Sequence, residues 1–239
     1  MRLRILGIIM MLGVAISGYA QGSETEGQSE EQIKMAQWNV NHSYRVFQAA
    51  LSLSDLAAAK NALLDILVEV EQNDSILFEL GTIYFQMKNY RASAVCATEL
   101  LKTNPNNLPI LELAAVSYEN LGVSEKALEY YEKMYLKSED FNSLYKTAIF
   151  QMELERFSEA NNNLDILISK PESSESTVNL PITGGGTKEY PITALLHNMK
   201  GLVLQGMGKK EEARKQFQAS LAIAPEFSTA KEYLEALDK

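Results

Sequence analysis

Few residues of this 239-residue chain could take part in chemistry. His42 and His197 are its two histidines and stand far apart in the sequence, and Cys96 is its single cysteine. A metal site or a histidine-based triad needs several such groups converging on one point. No HxxxH, CxxC or GxSxG pattern occurs. The sequence therefore predicts no enzyme, no metal site and no cofactor.

Two features suggest chemistry at first sight. Cys96 stands inside a predicted helix, between Val95 and Ala97, and a cysteine in that setting is more often a buried small residue than a reactive thiol. Gly184–Gly186 is followed by Thr187 and Lys188, whereas a phosphate-binding loop needs Gly-Lys-Ser/Thr at the start of a helix. We expect no nucleotide site there, although an enzyme that uses this loop stays open as an alternative.

The first twenty residues have the features of a secretory signal peptide. Arg2 and Arg4 precede an apolar run from residue 5 to 17, and small residues follow. The run is shorter than the roughly 20 residues needed to span a bilayer, so an uncleaved anchor is the weaker alternative. We predict a signal peptide over 1–20, cut between Ala20 and Gln21, and a disordered acidic leader over 21–35. The protein is then periplasmic or secreted.

The segment from Asp74 to Asn107 carries the clearest pattern in the chain. Apolar and small residues, among them Leu80, Gly81 and Tyr84, recur at spacings of three and four and predict a helix. Asn89 interrupts the pattern, a second helical stripe follows, and Pro105 ends the unit. This Leu-Gly-x-x-Tyr helix, with its small residue nine positions on and its 34-residue length, resembles the tetratricopeptide repeat.

The same period extends through most of the chain. Gly122 falls in the turn of the next copy, and the copy after that is degenerate, with Thr147 and Gln151 in the Leu and Tyr slots. We predict repeats at 40–73, 74–107, 108–140, 141–174 and 194–227, within a single domain over 36–239. Trp38, just before the first repeat, is expected to cover the open end of the stack.

The regular pattern breaks between residues 171 and 193. This segment contains three prolines and three successive glycines, and its flanks are rich in β-branched residues. It is predicted to be an inserted loop or β-hairpin that turns at the glycines. A final amphipathic helix over 227–237 is expected to cap the last repeat. The fold class is therefore all-α, an α-solenoid of about five hairpins with one insertion.

The resemblance implies a role in binding other proteins. In proteins of this family the first helices of the repeats line a concave groove that receives a peptide or a partner helix. The corresponding residues here are Tyr44, Gln48, Phe78, Thr82, Phe85, Glu112, Glu119, Tyr145, Ile149, Met152 and Asn198. They lack the basic clamp for a terminal carboxylate, and they suit an apolar peptide or helix. Packing within a tightly wound solenoid is the alternative explanation for these residues.

The expected function is a non-catalytic interaction scaffold of the bacterial cell envelope, with a protein or peptide partner. A periplasmic chaperone-like protein or assembly factor for envelope proteins is the alternative. The formal net charge of −9 argues against nucleic acid and anionic membrane surfaces as partners. After signal cleavage no membrane span is expected.

Overall fold

A computed structural model describes residues 30–70, 73–181 and 185–237. The predicted signal peptide and most of the predicted leader lie outside these ranges. The first described helix begins at Glu30, so residues 30–35, expected to be disordered, are helical. The chain divides into two compact units, 1–87 and 88–239, and the division falls inside the predicted 74–107 repeat.

The N-terminal unit contains three helices in its described part. They are α1 (Glu30–Ser52), α2 (Leu56–Glu69) and α3 (Asp74–Gln86). α1 packs against α2, and α2 packs against α3. The core of this unit is made of aliphatic residues and alanine around Phe47. Trp38, expected to cover the end of the stack, is 61% exposed, and its ring stacks on His42 of the same helix.

The C-terminal unit contains the other helices and the two strands of the described chain. The helices are α4 (Tyr90–Thr103), α5 (Leu108–Leu121), α6 (Ser124–Ser138), α7 (Phe141–Glu153), α8 (Phe157–Ser169), the short α9 (Pro171–Glu175), α10 (Ile192–Gly206), α11 (Lys210–Ile223) and α12 (Ser228–Leu237). The strands are β1 (Thr177–Pro181) and β2 (Thr187–Pro191). Most of the long helices pack against the next long helix along the chain.

Local sequence signals set the ends of these helices. Asn73, Asn89 and Asn107 cap α3, α4 and α5, and each side chain accepts a hydrogen bond from the backbone N–H three residues later. Such caps satisfy one of the free N–H groups at a helix start. The turn inside each hairpin is left-handed, at Ser54, Lys88, Gly122, Glu155 and Gly208. The first four recur with the period of the repeat, and Gly208 follows the insertion, so a shared backbone conformation accompanies the repeat although only two of the five are glycine.

The insertion between α8 and α10 leaves the helix stack of the C-terminal unit intact. α10 packs directly against α8, and residues such as Leu164, Leu196 and Val203 form one buried cluster across this contact. β1 and β2 pair antiparallel, with Val178 opposite Tyr190. The predicted hairpin is therefore present, and residues 182–184 at its turn lie outside the described ranges.

A small residue is required where α10 crosses α11. A methyl group added to Gly201 would come within 2.4 Å of the Phe217 ring. Phe217 is fully buried, so its ring has little room to move. We expect Gly201→Ala to lower the free energy of unfolding by about 1–3 kcal/mol, despite the better helix propensity of alanine.

Chemical denaturation measures this effect, and a second substitution checks its cause. Phe217→Leu shortens the opposing side chain, so it should be less harmful in the Gly201→Ala background than in the natural sequence. Additive effects of the two substitutions would show that the Gly201–Phe217 contact is not what excludes a larger residue.

Candidate protein-binding face

We use the term binding face for the eleven residues that the repeat pattern assigns to the partner. They belong to α1, α3, α5, α7 and α10, which are the first helices of the hairpins. Helices α1 and α3 are part of the N-terminal unit, and the other three are part of the C-terminal unit.

The N-terminal unit contributes three aromatic side chains with partial exposure. Phe78 and Phe85 on α3 are half-buried, as is Tyr44 on α1, whereas Gln48 is exposed. Thr82 lies between the two phenylalanines in sequence but is buried, and its hydroxyl donates to the carbonyl oxygen of Phe78 at 3.0 Å. The Thr82 hydroxyl is therefore bonded within its own helix and is not available to a partner.

The apolar part of the C-terminal unit lies on α7. Tyr145, Ile149 and Met152 are spaced by four and three residues, are half-buried, and pack against the cluster formed by α7, α8 and α10. Tyr145 also stacks on Phe141, with ring centroids 6.3 Å apart. Burial raises the pKa of the Tyr145 hydroxyl. These side chains both support the core and keep part of their surface exposed.

Asn198 lies on α10 and is only 3% exposed. Its Oδ1 atom has no hydrogen-bond partner among the described residues. A buried amide oxygen without a partner is costly. Asn198 is an interior residue, and the repeat pattern alone did not indicate that.

The two acidic residues of the face have different surroundings. Glu119 accepts a hydrogen bond from the Tyr131 hydroxyl at 2.5 Å and forms an ion pair with Lys146. Glu112 is half-buried, and burial, followed by the nearby charge of Asp140, raises the pKa of its carboxyl. Glu119 is thus satisfied within the fold, whereas Glu112 is the acid that would gain from a cationic partner.

Sequence reasoning missed the network around Glu119. The Tyr131 ring stacks on Phe150 at 5.7 Å, and the Lys146 ammonium lies 6.0 Å from the centre of the same ring. The residues come from α5, α6 and α7. Glu119 and Lys146 are 27 positions apart in the chain, so no local pattern connects them. The only signal in the sequence was that the first helices of two consecutive hairpins carry opposite charges.

A second polar network explains the degenerate repeat at 141–174. Gln151, in the slot where the family has Tyr, is buried, donates to Glu132 at 3.2 Å and accepts from Asn163 at 2.8 Å. Thr147, in the Leu slot, donates to the carbonyl oxygen of Ser143 at 2.9 Å. The departures from the family pattern are therefore matched by polar partners.

Each of the residues that suggested chemistry has its own local surroundings. His42 stacks on Trp38 in the N-terminal unit, whereas His197 in the C-terminal unit is bonded through Nδ1 to Gln216 at 2.8 Å. Cys96 is buried, as predicted, and burial raises the pKa of its thiol to about 11. In the described ranges, no three His, Cys, Asp or Glu residues are grouped so as to hold a metal ion. None of the described helices has the length and apolar character of a membrane span.

Comparison with known structures defines the class of the protein. Helical hairpin repeats and a capping helix place the chain among the α-solenoids. A structure of MamA covers 80% of this chain and 94% of its own, with a TM-score of 0.59 and 12% identity. YrrB, described as a tetratricopeptide repeat protein with an unusual peptide-binding site, covers 82% of this chain and 90% of its own, with a TM-score of 0.61 and 13% identity.

A third structure, a tetratricopeptide repeat protein from Parabacteroides merdae ATCC 43184, covers 85% of this chain and 72% of its own, with a TM-score of 0.57 and 21% identity. Residues 74–107 and 194–227 match the tetratricopeptide repeat family. The chain contains tetratricopeptide repeats in these two segments, and the predicted fold class is confirmed. No curated protein sequence matches it.

Proposed function

We propose that this protein is a non-catalytic scaffold of the bacterial cell envelope, which binds a peptide or partner helix on the binding face of its C-terminal unit. Tetratricopeptide repeats are protein-interaction modules, and that general role follows from the family. The proposal adds the place of binding and the compartment.

One observation carries the proposal. Tyr145, Ile149 and Met152 form an apolar stripe on α7 that stays half-exposed although each residue also packs on the core. Apolar side chains at these spacings suit a peptide or a helix that lies along the first helices. Because packing on the core already restricts these side chains, they lose little conformational freedom when a partner binds.

Partial burial of the face favours a scaffold over a chaperone-like protein. A protein that holds unfolded clients needs a continuous open apolar surface, whereas Thr82 and Asn198 are buried and Glu119 is engaged with Lys146. The C-terminal unit offers instead a short stripe next to acidic residues, which suits one defined partner.

The envelope location rests on the predicted signal peptide. Fractionation of the source bacterium, with an antibody to the protein, should find it in the periplasmic fraction. The N-terminal residue of the isolated protein should be Gln21, with its amino group either free or blocked by cyclisation of the glutamine. Recovery in the cytosol with Met1 in place would reject this part of the proposal.

Site-specific photocrosslinking tests the binding face. A photoreactive amino acid at Met152 should yield a discrete crosslinked product in cells, because the side chain is part of the proposed contact. The matched control is Leu136 on α6, an apolar residue that is 79% exposed and outside the face. Equal products from both positions, or none at Met152, would contradict binding on this face.

A further inference from the structure

The first helix has an apolar stripe that no other part of the described chain covers. Met35, Trp38, His42, Val46 and Ala49 are all exposed, and they follow one another at steps of three, four, four and three residues. They lie on a different side of α1 from the buried Phe47 and Ala50. Steps of three and four residues keep these side chains on one side of the helix, as on a helix that pairs with another helix. We call these five residues the outer stripe.

A depression of about 300 Å³ lies beside the outer stripe, between α1 and α2. Its lining consists of Asn39, His42, Ser43, Asp65, Val68 and Glu69. Val68 is 82% exposed, so its side chain adds apolar surface to the depression. The N-terminal unit therefore presents a bulky projecting side chain, Trp38, within about one helical turn of a depression that can receive a bulky group.

Two charged residues of α1 are arranged symmetrically about Trp38. Glu31 lies seven residues before it and Arg45 seven residues after it, both on the same side of α1 as the outer stripe. An antiparallel copy of α1, related by a two-fold axis near Trp38, would place each Glu31 opposite the Arg45 of the other copy. A parallel copy would place like charges together.

We propose that the part of the outer stripe around Trp38 is a self-association surface, on which a second copy of this chain packs with its α1 antiparallel. The two Trp38 side chains meet near the two-fold axis, each next to the depression of the other copy, and a Glu31–Arg45 pair lies on either side of them. The same patch on both subunits is the ordinary form of a two-fold interface. The inference is independent of the binding face, which lies on other residues.

Sedimentation equilibrium of the purified full chain tests the proposal, together with fluorescence. We expect a monomer–dimer equilibrium, and a blue shift of tryptophan emission as concentration rises, because Trp38 is the only tryptophan and becomes buried. Trp38→Ser should weaken dimerisation by about tenfold or more. Leu136→Ser is the control, since it removes another exposed apolar side chain and should leave the dimer unchanged.

A charge exchange tests the antiparallel arrangement. Glu31→Arg and Arg45→Glu should each weaken the homodimer, because each places like charges opposite one another. Mixing the two variants should restore a dimer, since both pairs are then complementary. The proposal would be overturned if the wild-type protein stayed monomeric at about 100 µM, or if Trp38→Ser did not weaken the dimer. The outer stripe would then have to bind a partner other than a second copy of this chain. If mixing fails to restore association, the antiparallel pairing is wrong.

Discussion

Replacing Phe217 by alanine should lower the free energy of unfolding by about 3–5 kcal/mol, a large fraction of the stability of an ordinary domain. Phe217 is fully buried on α11 and belongs to a cluster with Leu204, Ala213 and Leu237. Its ring also stacks on Tyr233 of α12, with centroids 5.8 Å apart. Loss of the ring removes buried apolar contacts and leaves a cavity where three helices meet.

Urea denaturation followed by circular dichroism measures this change. Leu136→Ala serves as the control, because Leu136 is 79% exposed and its loss should change stability by less than about 0.5 kcal/mol. Since repeat proteins are stabilised by contacts between neighbours, the Phe217→Ala variant should show the last hairpin and α12 unfolding before the rest of the C-terminal unit. A cost no larger than that of the control would mean that this helix junction does not hold the end of the chain.

Replacing Tyr190 by alanine should cost about 2–4 kcal/mol and should release the inserted hairpin. Tyr190 on β2 is 3% exposed, and its ring lies 5.1 Å from that of Phe227. Ala194, Ala224 and Ala230 complete the cluster, with Val178 of β1 packed against it. An isolated two-stranded hairpin is marginally stable in water, so this anchor is what holds the strands in place.

Amide hydrogen exchange can follow this release strand by strand. In Tyr190→Ala the amides of both strands should lose protection, while those of α7 and α8 should keep it. Thr187→Ala is the matched control, because Thr187 is an exposed residue of the same strand. If the strands stay protected without Tyr190, another contact must fix the hairpin, and the insertion would be more independent than the structure indicates.

The sequence determined the repeated architecture because its signals are local. Helix periodicity, Asn caps at Asn73, Asn89 and Asn107, and small residues such as Gly201 all act over a few residues or within one hairpin. Each of these can be recognised without knowing the rest of the fold. The same holds for most of the insertion, since prolines, successive glycines and β-branched flanks disfavour a long helix there, and residues 171–175 form only the short α9.

Only the tertiary structure decided which side chains remain available. Thr82 and Asn198 occupy face positions by register but are buried, and Trp38, expected to cover the end of the stack, is itself 61% exposed. The sequence shows that Glu119 is acidic, but it does not show that Tyr131 and Lys146, which come from other helices, are its partners. Exposure and pairing depend on residues that are distant in sequence, and a periodic pattern fixes the direction of a side chain without fixing what lies against it.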